Sequence, residues 1–388
     1  MYDFENKWRL CLNKLDINGQ RRRLRSVEER VNRNLYLDGR QVLDFSSNDY
    51  LGLAQHPELI SRSLDFTRKW GSGSGASRLI CGNILPFIII EEKLAHAKKA
   101  EAALVFASGF AANSSILKVL LDINVLGAKP LVYCDKLNHA SLHQGCLCAG
   151  VSQIRFRHND LDHLESLLIK DQKEKCPRFI ITETIFSMDG DRVDLTGLQI
   201  LAKRFGAFLY LDEAHATGVF GENGFGLANG FAGHNCLVMG TFSKALGSFG
   251  SYVVCTKVLR NYLINRCWGL IYSTALPPSV LGAIDAAIDL IPSMDSKRAR
   301  LMMSAKKFRV SMINAGFDIG TSSTQIVPII LGSKTTKLAN SLEENGLLGI
   351  AIHPPTVPSN SSRIRFTFSA NHTDEQIDRL IATIIAEQ

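Results

Sequence analysis

Lys244 stands in Gly240-Thr241-Phe242-Ser243-Lys244-Ala245-Leu246-Gly247, directly after the apolar run Cys236-Leu237-Val238-Met239. The run reads as a short buried strand, which puts the lysine in a small-residue loop at a strand end. An exposed lysine is ordinarily a solvated charge. One set among Gly, Ser, Thr and Phe, with no acidic neighbour in sequence, is expected to be partly desolvated, which lowers its pKa. Such an amine attacks carbonyl carbon and forms Schiff bases.

Asp212 closes a second apolar run, Phe208-Leu209-Tyr210-Leu211. A carboxylate at the end of a buried strand is costly unless a cation or hydrogen-bond donor meets it. Capping of the next turn is the bland account. The pyridinium nitrogen of pyridoxal phosphate is the chemical one, since a carboxylate held there keeps the ring protonated and electron-accepting. In Ala107-Ser108-Gly109-Phe110-Ala111-Ala112-Asn113 a strand gives way to a helix. Its first N–H groups and dipole could hold a phosphate, to which Thr241 offers a hydroxyl. The ring of His139 could stack on a flat cofactor, although a lone histidine is more often packed or on the surface.

Elements that would position these residues follow from the apolar pattern. Short runs at 103–106, 131–134, 179–182, 208–211, 236–239 and 252–254 alternate with helical stretches such as 160–172 and 195–205. That alternation predicts an α/β fold with a mostly parallel central sheet covered by helices. Ser108, Asp135, Glu183, Asp212 and Thr241 fall at the carboxyl ends of strands, the ligand-binding edge of open α/β sheets. Residues 1–45 read as an amphipathic N-terminal arm and a hairpin turning at Asp38-Gly39, residues 46–285 as the large domain, and residues 286–388 as a smaller C-terminal α+β domain. Gly71-Ser-Gly-Ser-Gly-Ala-Ser77 has a linker's composition, but apolar sequence resumes at once, so it is not expected to separate cores.

The 388 residues, 46% hydrophobic and 21% charged, suffice for a large core. A net charge of +7 with one tight basic cluster, Arg21-Arg22-Arg23-Leu24-Arg25, predicts no nucleic-acid partner. No stretch reads as a membrane span, and the acidic, poorly apolar start does not resemble a secretory signal. Nine scattered cysteines suit reduced thiols, and a cytoplasmic location is expected. No metal site is expected; His139 and His143 have helical spacing without a third ligand.

The motifs Asn48-Asp-Tyr-Leu-Gly-Leu53, Ser108-Gly-Phe-Ala-Ala-Asn113, Asn138-His-Ala-Ser-Leu142, Ser187-Met-Asp-Gly-Asp191, Asp212-Glu-Ala-His-Ala-Thr-Gly218 and Thr241-Phe-Ser-Lys-Ala-Leu-Gly247 occur in that order. From about Arg21 onward the chain resembles the α-oxoamine synthases, fold-type-I pyridoxal-phosphate enzymes that condense an amino acid with an acyl thioester and release CO2. The resemblance implies that Lys244 holds the cofactor as an imine and Asp212 pairs with its ring nitrogen. It implies further that His215 and Ser187 contact the phenolic-oxygen side, that His139 stacks, and that Ser108, Gly109, Phe110 and Thr241 address the phosphate. Arg365 would grip the amino-acid carboxylate, and Asn48, Thr356 and Arg21 would contact substrate. Ile271–Pro278 and Ala351–Pro358 are similar to the biotin-pathway branch, which uses L-alanine and a pimeloyl thioester on CoA or an acyl-carrier protein. Glycine-using members and a non-catalytic partner subunit are the alternatives; the presence of Lys244, Asp212 and His139 disfavours the latter. Phe87 and His353 depart from the branch's pattern. A homodimer with interfacial active sites is implied as well.

Overall fold

The structure, a computed structural model, describes residues 2–17 and 20–388. Strands β1 (Val27–Val31), β2 (Asn34–Leu37) and β3 (Arg40–Asp44) form an antiparallel ladder. The β2–β3 turn has Asp38 at φ 51° and Gly39 at φ 75°. Two left-handed residues give the primed hairpin turn, whose twist matches the strands it joins. The amphipathic helix expected through the arm stops at Ile17, and Val27–Val31 is a strand instead. All five of its residues are exposed, so partner strand β2 rather than a core supports it.

The central sheet is built from β4 (Ala102–Phe106), β5 (Leu131–Asp135), β6 (Gln153–Phe156), β7 (Arg178–Glu183), β8 (Ala207–Asp212), β9 (Cys236–Thr241) and β10 (Ser251–Cys255). Their order is β4-β10-β9-β8-β7-β5-β6, parallel from β9 through β6, with β10 antiparallel to both neighbours. Alternation along β4 shows why the runs are continuously apolar. Leu104 and Phe106 pack with Ala112, Ile116, Leu117 and Leu142 on one face, whereas Ala103 and Val105 join Phe87, Ile90, Leu198 and Leu281 on the other. With helices on both faces, every residue meets a core. Edge strand β6, not recognised from sequence, reads Gln-Ile-Arg-Phe and buries only Phe156 fully.

Beyond helix Asp295–Asn314, strands β11 (Ile326–Ile330), β13 (Ile350–Ile352) and β14 (Arg363–Thr367) form a second sheet in the order β11-β14-β13. Between β11 and β13, β12 (Leu347–Leu348) pairs in parallel with β3, joining the N-terminal ladder to this part of the chain. The glycine-rich stretch is ordered against residues 274–276: Ser74 Oγ donates to Leu276 O at 2.5 Å and Ala275 N to Ala76 O at 3.0 Å.

Behind the ligand-binding edge, Lys98 Nζ lies 2.5 Å from Glu213 Oε2 and 2.6 Å from Phe225 O, with both side chains fully buried. Glu213 Oε1 accepts from Ala228 N at 2.7 Å, so one carboxylate gathers the loop that follows β8. Removing one partner of such a pair strands a buried charge. Lys98→Met is therefore expected to destabilise the protein by about 3–5 kcal/mol, read as a lower urea midpoint; an unchanged midpoint would contradict the pairing.

Candidate active site

Phe242, Ala245 and Leu246 are buried and anchor the loop after β9, while Lys244 turns into a cavity of about 240 Å³. Burial pushes Lys244 down to about 8, against the attraction of the Asp212 and Glu183 carboxyls. Its Nζ is 2.8 Å from His215 Nε2, and His215 Nδ1 is 2.7 Å from the Tyr50 hydroxyl, which reaches Asn48 Oδ1 at 3.1 Å. Burial also holds His215 well below the ordinary histidine value, helped by the Lys244 and Arg365 charges, so the imidazole is neutral. With the Tyr50 proton on Asn48, His215 donates Nδ1–H to Tyr50 and presents the Nε2 lone pair to the lysine.

Asp212, at the end of β8, is 4% exposed and forms no ion pair among the described residues. Its Oδ1 accepts from Ala214 N at 2.8 Å and its Oδ2 from Asn113 Nδ2 at 2.8 Å. Asn113 donates from the same nitrogen to Ser141 Oγ at 2.9 Å and accepts from the Tyr210 hydroxyl at 2.8 Å. Ser141, its oxygen thus occupied, donates to His139 Nδ1 at 2.7 Å. Because Ser141 N also donates to Nδ1, His139 carries its proton on Nε2. Burial lowers the His139 pKa, which keeps the ring uncharged. Glu183, at the end of β7, accepts from His139 N at 2.6 Å and is pushed well up by burial and by the neighbouring Asp212 charge.

At the opposite wall, Ser108 caps helix Gly109–Leu120 by accepting from Ala111 N at 3.2 Å. Gly109 and Phe110 begin the helix and line the cavity, as does Thr241, whose hydroxyl lies 2.9 Å from Gly250 O and 2.7 Å from Ser243 Oγ. A Cβ on Gly109 would meet only Met239 Cε, at 3.8 Å, so packing does not demand glycine there.

Arg363 and Arg365 share a face of β14. Arg363 pairs with Asp189 at 2.6 Å. Arg365, 8% exposed, donates to Ser187 O and, at 3.2 Å from each terminal nitrogen, to Asn48 Oδ1; no described carboxylate neutralises it. Ser187, His139 and Thr356 line an adjoining cavity of about 520 Å³ with Lys136, Arg155 and Asp189. Arg21 lines neither cavity and pairs with Asp16 at 2.6 Å; Arg22 instead approaches Thr356 Oγ1 at 3.4 Å. His353 contacts Ser362 and Thr336, and Phe87 lies under the Arg78 guanidinium at 4.3 Å. Tyr50, Asn113 and Glu183 were not singled out from sequence as site residues. Asn113 and Tyr50 lie inside quoted motifs, and Asn113 is followed in its helix by Ser114 and Ser115, so no isolated polar position marked it.

The residues suit pyridoxal phosphate. Asp212 uses only part of its acceptor capacity and has room for a pyridinium N–H. Lys244 supplies the amine, and the cavity narrows to a glycine at a helix N-terminus, where backbone approach by an anion is open.

The model of the family described as aminotransferase class I and II matches residues 40–384. A relative from Magnetococcus marinus, provisionally named an 8-amino-7-oxononanoate synthase, is 54% identical over 94% of this chain and 93% of its own. The 8-amino-7-oxononanoate synthase of Gluconacetobacter diazotrophicus is 50% identical over 99% of this chain and 97% of its own. Among solved structures, a serine palmitoyltransferase from S. paucimobilis with bound PLP superposes with a TM-score of 0.91 at 26% identity, covering 99% of this chain and 98% of that one. The 8-amino-7-oxononanoate synthase of Francisella tularensis gives 0.76 at 27% identity, covering 89% and 97%. The α/β fold expected from the strand–helix alternation is the fold of these proteins. Matched by the family model over most of its length and by these relatives over nearly all of it, the chain belongs to the class I and II aminotransferase family, in the group whose named members are 8-amino-7-oxononanoate synthases.

Proposed function

We propose that this enzyme, a pyridoxal-phosphate-dependent acyltransferase, condenses L-alanine with a pimeloyl thioester to give 8-amino-7-oxononanoate, CO2 and the free thiol carrier, a step of biotin synthesis. The observation that carries the chemistry is one cavity walled by a neutral-tending lysine, a carboxylate without an ion-pair partner and, nearby, a buried arginine without a counter-charge. The named relatives support the choice of substrates.

When bound, the cofactor supplies a protonated ring that accepts the electron pair left at the amino-acid Cα. Lys244, displaced by the incoming amine, takes the Cα proton and later returns one to the product carbon. His215 steadies that amine and is itself steadied by Tyr50. Asp212, aimed by Asn113 and Ala214 N, would hold the ring-nitrogen proton, and His139 would lie against the ring. Arg365 binds the alanine carboxylate bidentately, its guanidinium aligned by Asn48 and Ser187 O. Ser108, Gly109, Phe110 and Thr241 form the phosphate end. The adjoining cavity, with Thr356 at its wall, takes the acyl arm. Exposed Ile80, Trp268 and Tyr272 support reading the protein as a homodimer, and we place it in the cytoplasm.

A second reading has one observation in its favour: the serine palmitoyltransferase superposes more closely than the Francisella enzyme. Turnover should be measured with alanine, glycine and serine against pimeloyl, acetyl, succinyl and palmitoyl thioesters. Alanine with pimeloyl thioester is expected to give the highest kcat/KM; absence of turnover with every pimeloyl donor would sink the assignment.

With Lys244 near pH 8 rather than near 10.5, the nucleophilic neutral amine becomes abundant earlier. The rate at which apoprotein takes up pyridoxal phosphate should rise about tenfold per pH unit below pH 8 and level off above it. Continued increase to pH 10 would mean an unshifted lysine, and Lys244→Ala should lose borohydride-fixable colour. Arg365→Ala is expected to raise KM for alanine about 10- to 100-fold, with the spectrum of the bound cofactor unchanged; an unaltered KM would exclude the carboxylate role.

A further inference from the structure

The cavity assigned above to the acyl arm is walled on one side by residues 136–140 and on the other by residues 187–189. Neither wall is regular structure for its whole length. Residues 136–139 link β5 to helix Ala140–Cys148, and residues 187–189 lie in the loop after β7. Both loops are tied at their base to His158, just beyond edge strand β6. Its Nδ1 is 3.0 Å from Asp135 Oδ1 and its Nε2 is 2.9 Å from Asp191 Oδ2. To donate from both nitrogens the imidazole must be a cation, and its hydrogen bonds are charge-assisted. Against the pull of burial, the bonds to Asp135 and Asp191 raise its pKa to about 10, so it stays charged at neutral pH.

Each aspartate passes the constraint into its own loop, Asp135 through its carboxylate and Asp191 through its backbone carbonyl. Asp135 Oδ1 also accepts from Leu137 N at 2.8 Å, fixing the turn that delivers His139. Asp191 O accepts from Phe186 N at 3.1 Å and closes the loop bearing Ser187. Asn159 doubles the tie, with its backbone N 2.9 Å from Asp135 Oδ2 and its Nδ2 2.5 Å from Asp191 Oδ2. The edge of the His158 ring packs on Phe186, centroids 4.4 Å apart. His158 itself lines neither cavity.

We infer that His158 is a positioning residue that fixes the separation of the His139 and Ser187 loops and thereby sets affinity for the acyl thioester, a role that rests on the assignment of the larger cavity to the acyl arm. Amino-acid binding depends mainly on Arg365 and Asn48, which β14 and the motif at 48–53 supply, and the tied loop reaches Arg365 only through the Ser187 carbonyl. Replacing the cation removes the attraction between the loops and leaves two carboxylates facing one another.

The test uses the holoenzyme with His158→Asn, His158→Gln and Asp191→Asn. For His158→Asn, KM for the thioester is expected to rise about tenfold or more, while the alanine affinity read from the spectral titration of the cofactor falls by a clearly smaller factor, about threefold or less. Glutamine, able to donate to one carboxylate, should recover part of the loss, and Asp191→Asn should reproduce it. Hydrogen exchange at residues 136–140 and 186–191 should quicken in His158→Asn, a readout independent of which thioester the enzyme takes. Equal losses for alanine and thioester, or unchanged exchange in both loops, would overturn the inference. A wild-type enzyme inactive with pimeloyl donors but showing the exchange change would overturn the substrate assignment and leave the loop tie standing.

Discussion

The side-chain amide of Asn113 is the contact on which the site's electrostatics depend. Two hydrogens on one nitrogen go to Asp212 and Ser141, and the oxygen takes the Tyr210 proton. Each of these choices forces the next: Ser141 must donate to His139, and His139 must carry its proton on the other nitrogen. One amide thus orients both the Asp212 carboxylate and the His139 imidazole, the two side chains proposed to meet the ring nitrogen and the ring face. An aspartate in its place would set a second negative charge beside Asp212, and an alanine would leave Tyr210, Ser141 and Asp212 each short of a partner in a buried setting, where unmet polar groups are costly.

Positive charge reaches the site from a different part of the chain. β14 brings two arginines to one face, of which Asp189 neutralises the first and nothing described neutralises the second. Burial shifts Lys244 and His215 toward their neutral forms, and the charge of this second arginine adds to that shift. The central sheet supplies carboxylates at strand ends while the smaller sheet supplies the guanidinium. Lys244 and His215 lie where those two contributions meet.

Much of this was legible in order along the chain. Strands buried on both faces announced themselves as apolar runs, and β5, β7, β8, β9 and β10 sit where the runs are. The exposed strands did not: β1 and β6 are polar because one or both faces meet water, and their bonding partners are remote information, whereas β4, at the other edge but buried throughout, was legible. The motifs likewise singled out Lys244, Asp212, His139 and Arg365, each of which alone has a bland reading, and the structure brings the first three to one cavity with Arg365 near it. Tyr50 and Asn113 escaped because their meaning lies in partners 165 and 99 positions away. Arg21 was drawn from a cluster whose neighbour Arg22 is the one near Thr356. Consecutive arginines on an exposed segment carry no periodic signal that could tell them apart.

Glycines here divide into those that the backbone requires and those, Gly109 among them, that it does not. At Gly190 and Gly221 the φ angles are 68° and 78°, and a Cβ would collide with Ile326 O at 2.0 Å and with Gly226 O at 1.8 Å. Any descendant of this fold must keep them to close its chain. Gly109 faces no such obstacle. Under the proposed function, what restrains residue 109 is the phosphate brought against it and not the packing of the chain, whereas Gly190 and Gly221 are held by the fold alone.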